Sequence, residues 1–149
     1  MINLTASFLL QVIGAYIATM AAGVILEAPK HLLFPTGFIG AAGYAAYLLA
    51  LTQTNNAVAT LLGGIVIALL AQVAARRLAS PVTIFYIPSF FPLVPGVGLY
   101  RIAYYYIQGN TQLAGDNLID SILIAGAVAL SIFIVDSFLE IYNHLRNKH

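Results

Sequence analysis

Residues Ile87 to Arg101 read I-P-S-F-F-P-L-V-P-G-V-G-L-Y-R, and the fold of the chain turns on how this stretch is built. It lies within an apolar segment long enough to enter a bilayer, yet it holds Pro88, Pro92 and Pro95, followed by Gly96 and Gly98. Each proline removes a backbone N–H, so the carbonyls of Ile84, Pro88 and Phe91 lose their α-helical donors. Ile87, Phe91 and Val94, which precede the prolines, are biased toward extended backbone. A smooth helix is therefore not expected here. In hydrocarbon, broken backbone persists only where protein buries it or where it lines a wet cavity. That makes the stretch a candidate functional site.

The composition agrees with a membrane setting. Of 149 residues, 61% are hydrophobic and 7% charged, whereas a soluble domain carries about a quarter charged residues. The net charge is +1 and the sequence has no basic run, so nucleic acid is not an expected partner. Cysteine is absent, which excludes a disulfide framework and thiolate chemistry within the chain. The first 26 residues hold no Lys or Arg, so they read as a retained membrane segment rather than a cleaved signal with a basic start.

Five apolar segments follow from the pattern: 4–26, 32–51, 57–75, 82–107 and 118–142. The expectation is an all-α integral membrane protein, one membrane domain over 1–149, with the fourth helix broken by Pro88, Pro92, Pro95 and Gly96. Ala15, Thr19 and Gly23 recur every four positions in the first segment, a seam that lets helices approach closely in lipid. Gly37, Gly40 and Gly43, with Ala41 and Ala45, leave the second segment short of bulk and suited to enclosure by neighbours. Gly64 and Ala68 form a further small pair in the third, and Pro35 is placed in the first turn of the second. No period-two strand pattern and no internal repeat is evident.

With five crossings, Lys30, Arg76, Arg77, Arg146 and Lys148 all fall on one side. The loops 52–56 and 108–117 carry no Lys or Arg. The positive-inside rule then places the N-terminus outside and the C-terminus in the cytoplasm.

Four charged residues deserve a functional reading beside a structural one. Arg101 sits about 9 Å before the exit of the fourth segment. An embedded Arg costs about 2.5–3.5 kcal/mol, so it needs a partner or water. Snorkelling past Tyr104, Tyr105 and Tyr106 to the headgroups is the plainer reading. Asp120 can pair with Arg101, or sit at N3 of a helix capped by Asn117. Asp136 and Glu140, four apart, are either an amphipathic cytoplasmic end or a proton relay at the inner mouth. Pro95 can open a half-helix through Tyr100 and Arg101, whose free N–H groups suit a carboxylate while the unwound carbonyls suit an ammonium. A bare proline kink is the alternative. No HExxH, G-x-S-x-G or P-loop occurs, and His31, His144 and His149 lack ligand spacing. No enzyme, metal or cofactor is expected.

The run P-S-F-F-P-L-V-P-G-V-G-L-Y, Pro88 to Tyr100, resembles the signature of the threonine/serine exporter family, in its small-subunit type (YjjB-like, ThrE C-terminal-domain-like). G-F-I-G-A-A-G-Y in the second segment and A-A-R-R-L-A-S-P before the fourth are similar as well. The resemblance implies a bacterial inner-membrane exporter of threonine and serine driven by the proton gradient, with some split members linked to dicarboxylates such as succinate. It also implies a larger YjjP-like membrane subunit as partner, since this chain corresponds to the smaller part. The motif carries over to Pro88, Pro92, Pro95, Gly96 and Tyr100; Arg101 and Asp120 come from the charge reading alone. A homo-oligomer is compatible with so small a chain. The competing role is a non-transporting scaffold whose small-residue seams dock a larger partner.

Overall fold

A computed structural model describes residues 4–146 and shows six α-helices with no strand among them. They are α1 (Leu4–Ile25), α2 (Lys30–Leu51), α3 (Asn56–Arg77), α4 (Thr83–Phe90), α5 (Gly96–Ile107) and α6 (Thr111–Arg146), with a 3₁₀ turn at Phe91–Leu93. Lys148 and His149 lie outside the described residues. Four helices are long and apolar enough to cross a membrane, and a fifth span results when α4 and α5, bent by 48°, are taken together. The all-α membrane fold with a broken fourth segment is thus what the chain adopts.

Side chains explain how the helices come together. In lipid, apolar surfaces gain little from leaving the surroundings, so close packing and hydrogen bonds must hold helices together. At the α2–α3 crossing, Gly43 faces Gly63: a Cβ on Gly63 would stand 2.7 Å from the Gly43 carbonyl oxygen. Across α1 and α2, buried Thr19 fills the space above Gly40, and Gly23 is covered by Leu33 and Pro88. The small-residue seams of the first three segments are accordingly interior. Buried hydroxyls are satisfied locally: Thr19 donates to the Ala15 carbonyl at 2.8 Å and Thr36 to that of Leu32 at 2.7 Å.

Into this frame goes α4, packed against α1, α2 and α3. Phe85, Pro88 and Ser89 are fully buried, and the Ser89 hydroxyl donates to the Thr36 carbonyl at 3.2 Å. By contrast α5 has no buried residue and leans on α6. Gly109, at φ 77°, closes α5 with Asn110 N–H donating back to the Tyr105 carbonyl at 2.9 Å. This left-handed position favours glycine.

Several boundaries differ from expectation. Helix α2 starts at Lys30, so Lys30 and His31 are helical and Pro35 lies a turn deeper than the first turn. Pro88 does not break the fourth segment; it sits inside α4, where it removes one intrahelical bond, the one to the Ile84 carbonyl, two residues before the helix ends. The largest shift is in α6, which begins at Thr111 rather than 118 and runs 36 residues. Asn110, not Asn117, is its cap, with Oδ1 accepting from Leu113 N–H at 3.1 Å. Asn117 instead donates to the Leu113 carbonyl at 2.8 Å, and Asp120 is mid-helix rather than at N3. The polar residues 111–117 form helix because a helix may extend beyond the hydrocarbon, where polar side chains cost nothing.

Glycines at contacts and glycines facing outward should respond in opposite ways. Gly43→Ala forces a Cβ against Ile67 and the Gly63 carbonyl and should destabilise by about 1–3 kcal/mol. Gly126 has open space around its Cβ position, so Gly126→Ala should be neutral or stabilise by up to about 1 kcal/mol. Unfolding of the purified protein in mixed micelles measures both.

Candidate functional site

The break between α4 and α5 repairs most of its own hydrogen bonds. Pro92 cannot serve the Pro88 carbonyl, but Phe91 N–H does, through a tighter 3₁₀ bond. The Phe91 carbonyl, denied by Pro95, accepts from Val94 N–H at 3.2 Å. Val94 is extended (ψ 132°), as expected before a proline. Pro95, at φ −73° and ψ 54°, forms an inverse γ-turn closed by Gly96 N–H on the Val94 carbonyl at 2.7 Å. Leu99 N–H then takes the Pro95 carbonyl at 3.0 Å. Two donors remain: the N–H groups of Val97 and Gly98 have no side-chain cap and no backbone acceptor among the described residues.

Both residues line a cavity of about 230 Å³. That is room for several waters. Pro92, Leu93, Val94, Pro95 and Gly96 form one wall, Tyr44, Tyr47, Asn56 and Thr60 another, and Arg101 with Asn117, Asp120 and Ser121 the third. Tyr47 donates to Asn56 Oδ1 at 3.1 Å. Gly98 lets α5 approach α6, since a Cβ there would strike the Ser121 hydroxyl. The cavity lies at the end bearing loops 52–55 and 108–110. Leu26, Glu27 and Pro29 meet Thr83 and Ile84 at the opposite end, so the joined α4–α5 pair runs from one end of the bundle to the other. Below the cavity the interior closes around Phe90, Gly64 and Ser131, which are in close contact.

The structure divides the candidate residues. Pro92, Pro95, Gly96, Arg101 and Asp120 share the cavity, and Arg101 and Asp120 do so without an ion pair between them. Pro88 is buried in α4 outside it. Tyr100 is 67% exposed on the outer face of α5, its ring 6.1 Å from that of Tyr104. Asp136 lies elsewhere: its Oδ1 accepts from Tyr86 Oη at 2.5 Å and from Gln72 Nε2 at 2.7 Å. Glu140 is exposed and takes no part in that network. Sequence reasoning missed Tyr44, Tyr47, Asn56 and Thr60 on the cavity wall, and Gln72 and Tyr86 around Asp136. Gln72 had a readable signal, as the single amide within the apolar body of α3.

The family model described as Threonine/Serine exporter, ThrE, matches residues 11–138. The chain belongs to that family. No curated protein and no solved structure matches it. An exporter family fits the apolar helices of a multi-pass membrane protein and a small-molecule substrate. The match includes all of the broken segment and both polar sites, Arg101 with Asp120 and Asp136 with its donors.

The natural absence of cysteine makes the cavity easy to probe. A membrane-impermeant maleimide should label Asn117→Cys from the side of loops 52–55 and 108–110. Ser131→Cys, at a fully buried position, should resist labelling from both sides.

Proposed function

We propose that the chain is the small subunit of a two-component exporter that moves threonine or serine outward across the bacterial inner membrane, driven by the proton gradient. The observation that carries this reading is the pair of unpaired N–H groups at Val97 and Gly98, set at the positive end of α5 inside the Arg101 cavity. Free N–H groups at a helix start, with a guanidinium nearby, recognise a carboxylate. Asp120 in the same cavity supplies the opposite charge for an ammonium group. A zwitterion satisfies both, whereas a dicarboxylate would set one of its charges against Asp120. Ser121 and Tyr47 give their hydroxyl protons to the Asn117 carbonyl and to Asn56 Oδ1, so their oxygens can accept from a substrate hydroxyl, and Tyr44 adds a further hydroxyl on the wall.

Lys30, Arg76 and Arg77 gather at the end remote from the cavity. The positive-inside rule makes that end cytoplasmic and turns the cavity outward, with the N-terminus outside. An exporter in this state is poised to release its cargo. The larger YjjP-like subunit completes the path, for which the thinly packed α5 leaves an open flank.

Efflux of preloaded labelled threonine from vesicles holding both subunits tests the reading. Arg101→Gln and the double variant Pro95→Ala, Gly96→Leu should each lower efflux at least about tenfold, the equivalent of one charge-assisted hydrogen bond at 1.5–3 kcal/mol. Unchanged efflux in both, with normal insertion, would leave the chain as a scaffold for its partner.

A further inference from the structure

Asp136 stands sixteen residues from Asp120 along α6, about 24 Å away. Two helices converge on its Oδ1: Gln72 from α3 at 2.7 Å and Tyr86 from α4 at 2.5 Å, with Gln72 Nε2 also 3.2 Å from Tyr86 Oη. From α3, Gln72 faces the carboxyl and Arg76 stands one turn farther, exposed; from α4 the titratable group is Tyr86; on α6 itself Glu140 is one turn farther and exposed. No ion pair with Asp136 forms among the described residues. Helix glue alone does not call for a carboxyl. Ser89 and the Thr36 carbonyl tie α4 to α2 without any charge, and a charge embedded in a membrane is costly to hold. What a carboxyl adds is the capacity to take a proton.

The second oxygen shows where the proton would go. Oδ2 has no protein donor among the described residues, yet no buried side-chain oxygen lacks a partner. Oδ2 is therefore open to the surface. Tyr86 leads on to the floor of the cavity. Its ring lies 6.1 Å from that of Phe90, one turn along α4. Phe90 in turn fills the space beside Gly64 and Ser131, and Pro92 and Leu93 of the cavity wall follow directly.

We propose that Asp136 is the proton-binding residue of the transport cycle, and that Tyr86 and Gln72 are positioning residues that make its protonation a latch on α4. A proton from water adds to Oδ2, and the carboxylate becomes a neutral acid. Tyr86 keeps its own proton throughout. A neutral acid holds its two donors about half as strongly as a carboxylate, so α4 is freed from α3 and α6 at the end remote from the cavity. Loss of the proton to water on the Arg76–Arg77 side restores the grip. The proposal rests on the exporter reading for its purpose, but its chemistry can be tested alone.

Infrared difference spectra of the full chain in lipid, recorded over pH, should show a carboxylic-acid C=O band that disappears in Asp136→Asn and persists in Asp116→Asn and Glu27→Gln. Tyr86→Phe should keep the band and displace its midpoint by about one pH unit, the worth of a hydrogen bond to a charged group. A band that survives Asp136→Asn, or a midpoint indifferent to Tyr86→Phe, overturns the proposal. In vesicles with both subunits, Asp136→Asn should abolish accumulation driven by a pH gradient and retain threonine exchange without one, while Asp136→Glu should recover gradient-driven accumulation. Accumulation that survives Asp136→Asn overturns it too. If the unaltered complex moves no threonine, the exporter reading fails, and the titration still decides the role of Asp136.

Discussion

Hydrocarbon offers no hydrogen bonds, and the interruption at Val94–Pro95 must meet that constraint at the place where backbone is least regular. The chain meets it in two ways. Carbonyls stranded by Pro92 and Pro95 are recovered by shorter-range bonds: the 3₁₀ turn serves Pro88 and Phe91, and the γ-turn at Pro95 serves Val94. The donors at Val97 and Gly98 cannot be recovered this way, because no residue precedes them in helical register. They require water or a ligand, and the cavity they line has room for either. The bend of 48° follows from the same turn and carries α5 away from the inner bundle toward α6.

The rest of the molecule is held with unequal firmness. The contact of Gly43 with Gly63, and of Thr19 with Gly40, brings backbones close enough for dispersion to act over a long seam. Helix α4 is enclosed by that frame and has fully buried Phe85, Pro88 and Ser89. Helix α5 buries nothing completely. The Val94–Pro95 joint therefore separates a well-packed half from a loosely packed one. Few buried contacts mean a low local free energy of opening.

Much of this was legible in the residues. Three prolines before two glycines announced the interruption, and glycine spacing in the second and third segments announced close packing. Both signals are local, so they survive without knowledge of neighbours. Pro88 leaves α4 unbroken because it removes only the bond to the Ile84 carbonyl from a helix held by the burial of Phe85 and Ser89, and that packing is not visible in the motif. The start of α6 was misread because apolar run length marks hydrocarbon, not helix: Asn110 caps a helix whose first turns are polar. That start decides between the two readings of Asp120, which is a cap residue if the helix begins at 118 and a mid-helix cavity wall when it begins at 111. Gln72 and Tyr86 were illegible as a pair. They lie 14 residues apart, and Asp136 is 50 beyond Tyr86. Only packing brings the three together.

The arrangement also narrows which element can move. On the proposed route, a cargo entering the cavity from below would have to displace the contact among Phe90, Gly64 and Ser131. Helix α6 is unbroken over 36 residues and cannot yield at Ser131 without tilting as a rod. In α3, Gly64 is bound into the α2–α3 seam by Gly63 one residue away. Phe90 alone stands beside a joint, at the end of α4 where the 3₁₀ turn begins. On one side it is anchored by Tyr86 on Asp136, and on the other it is attached to the turn at Pro95. Motion at the floor is thus a motion of α4 and the turn that follows it. In the proposed mechanism, a cargo carboxylate at Gly96 to Gly98 and a proton at Asp136 would bear on opposite ends of the same short element.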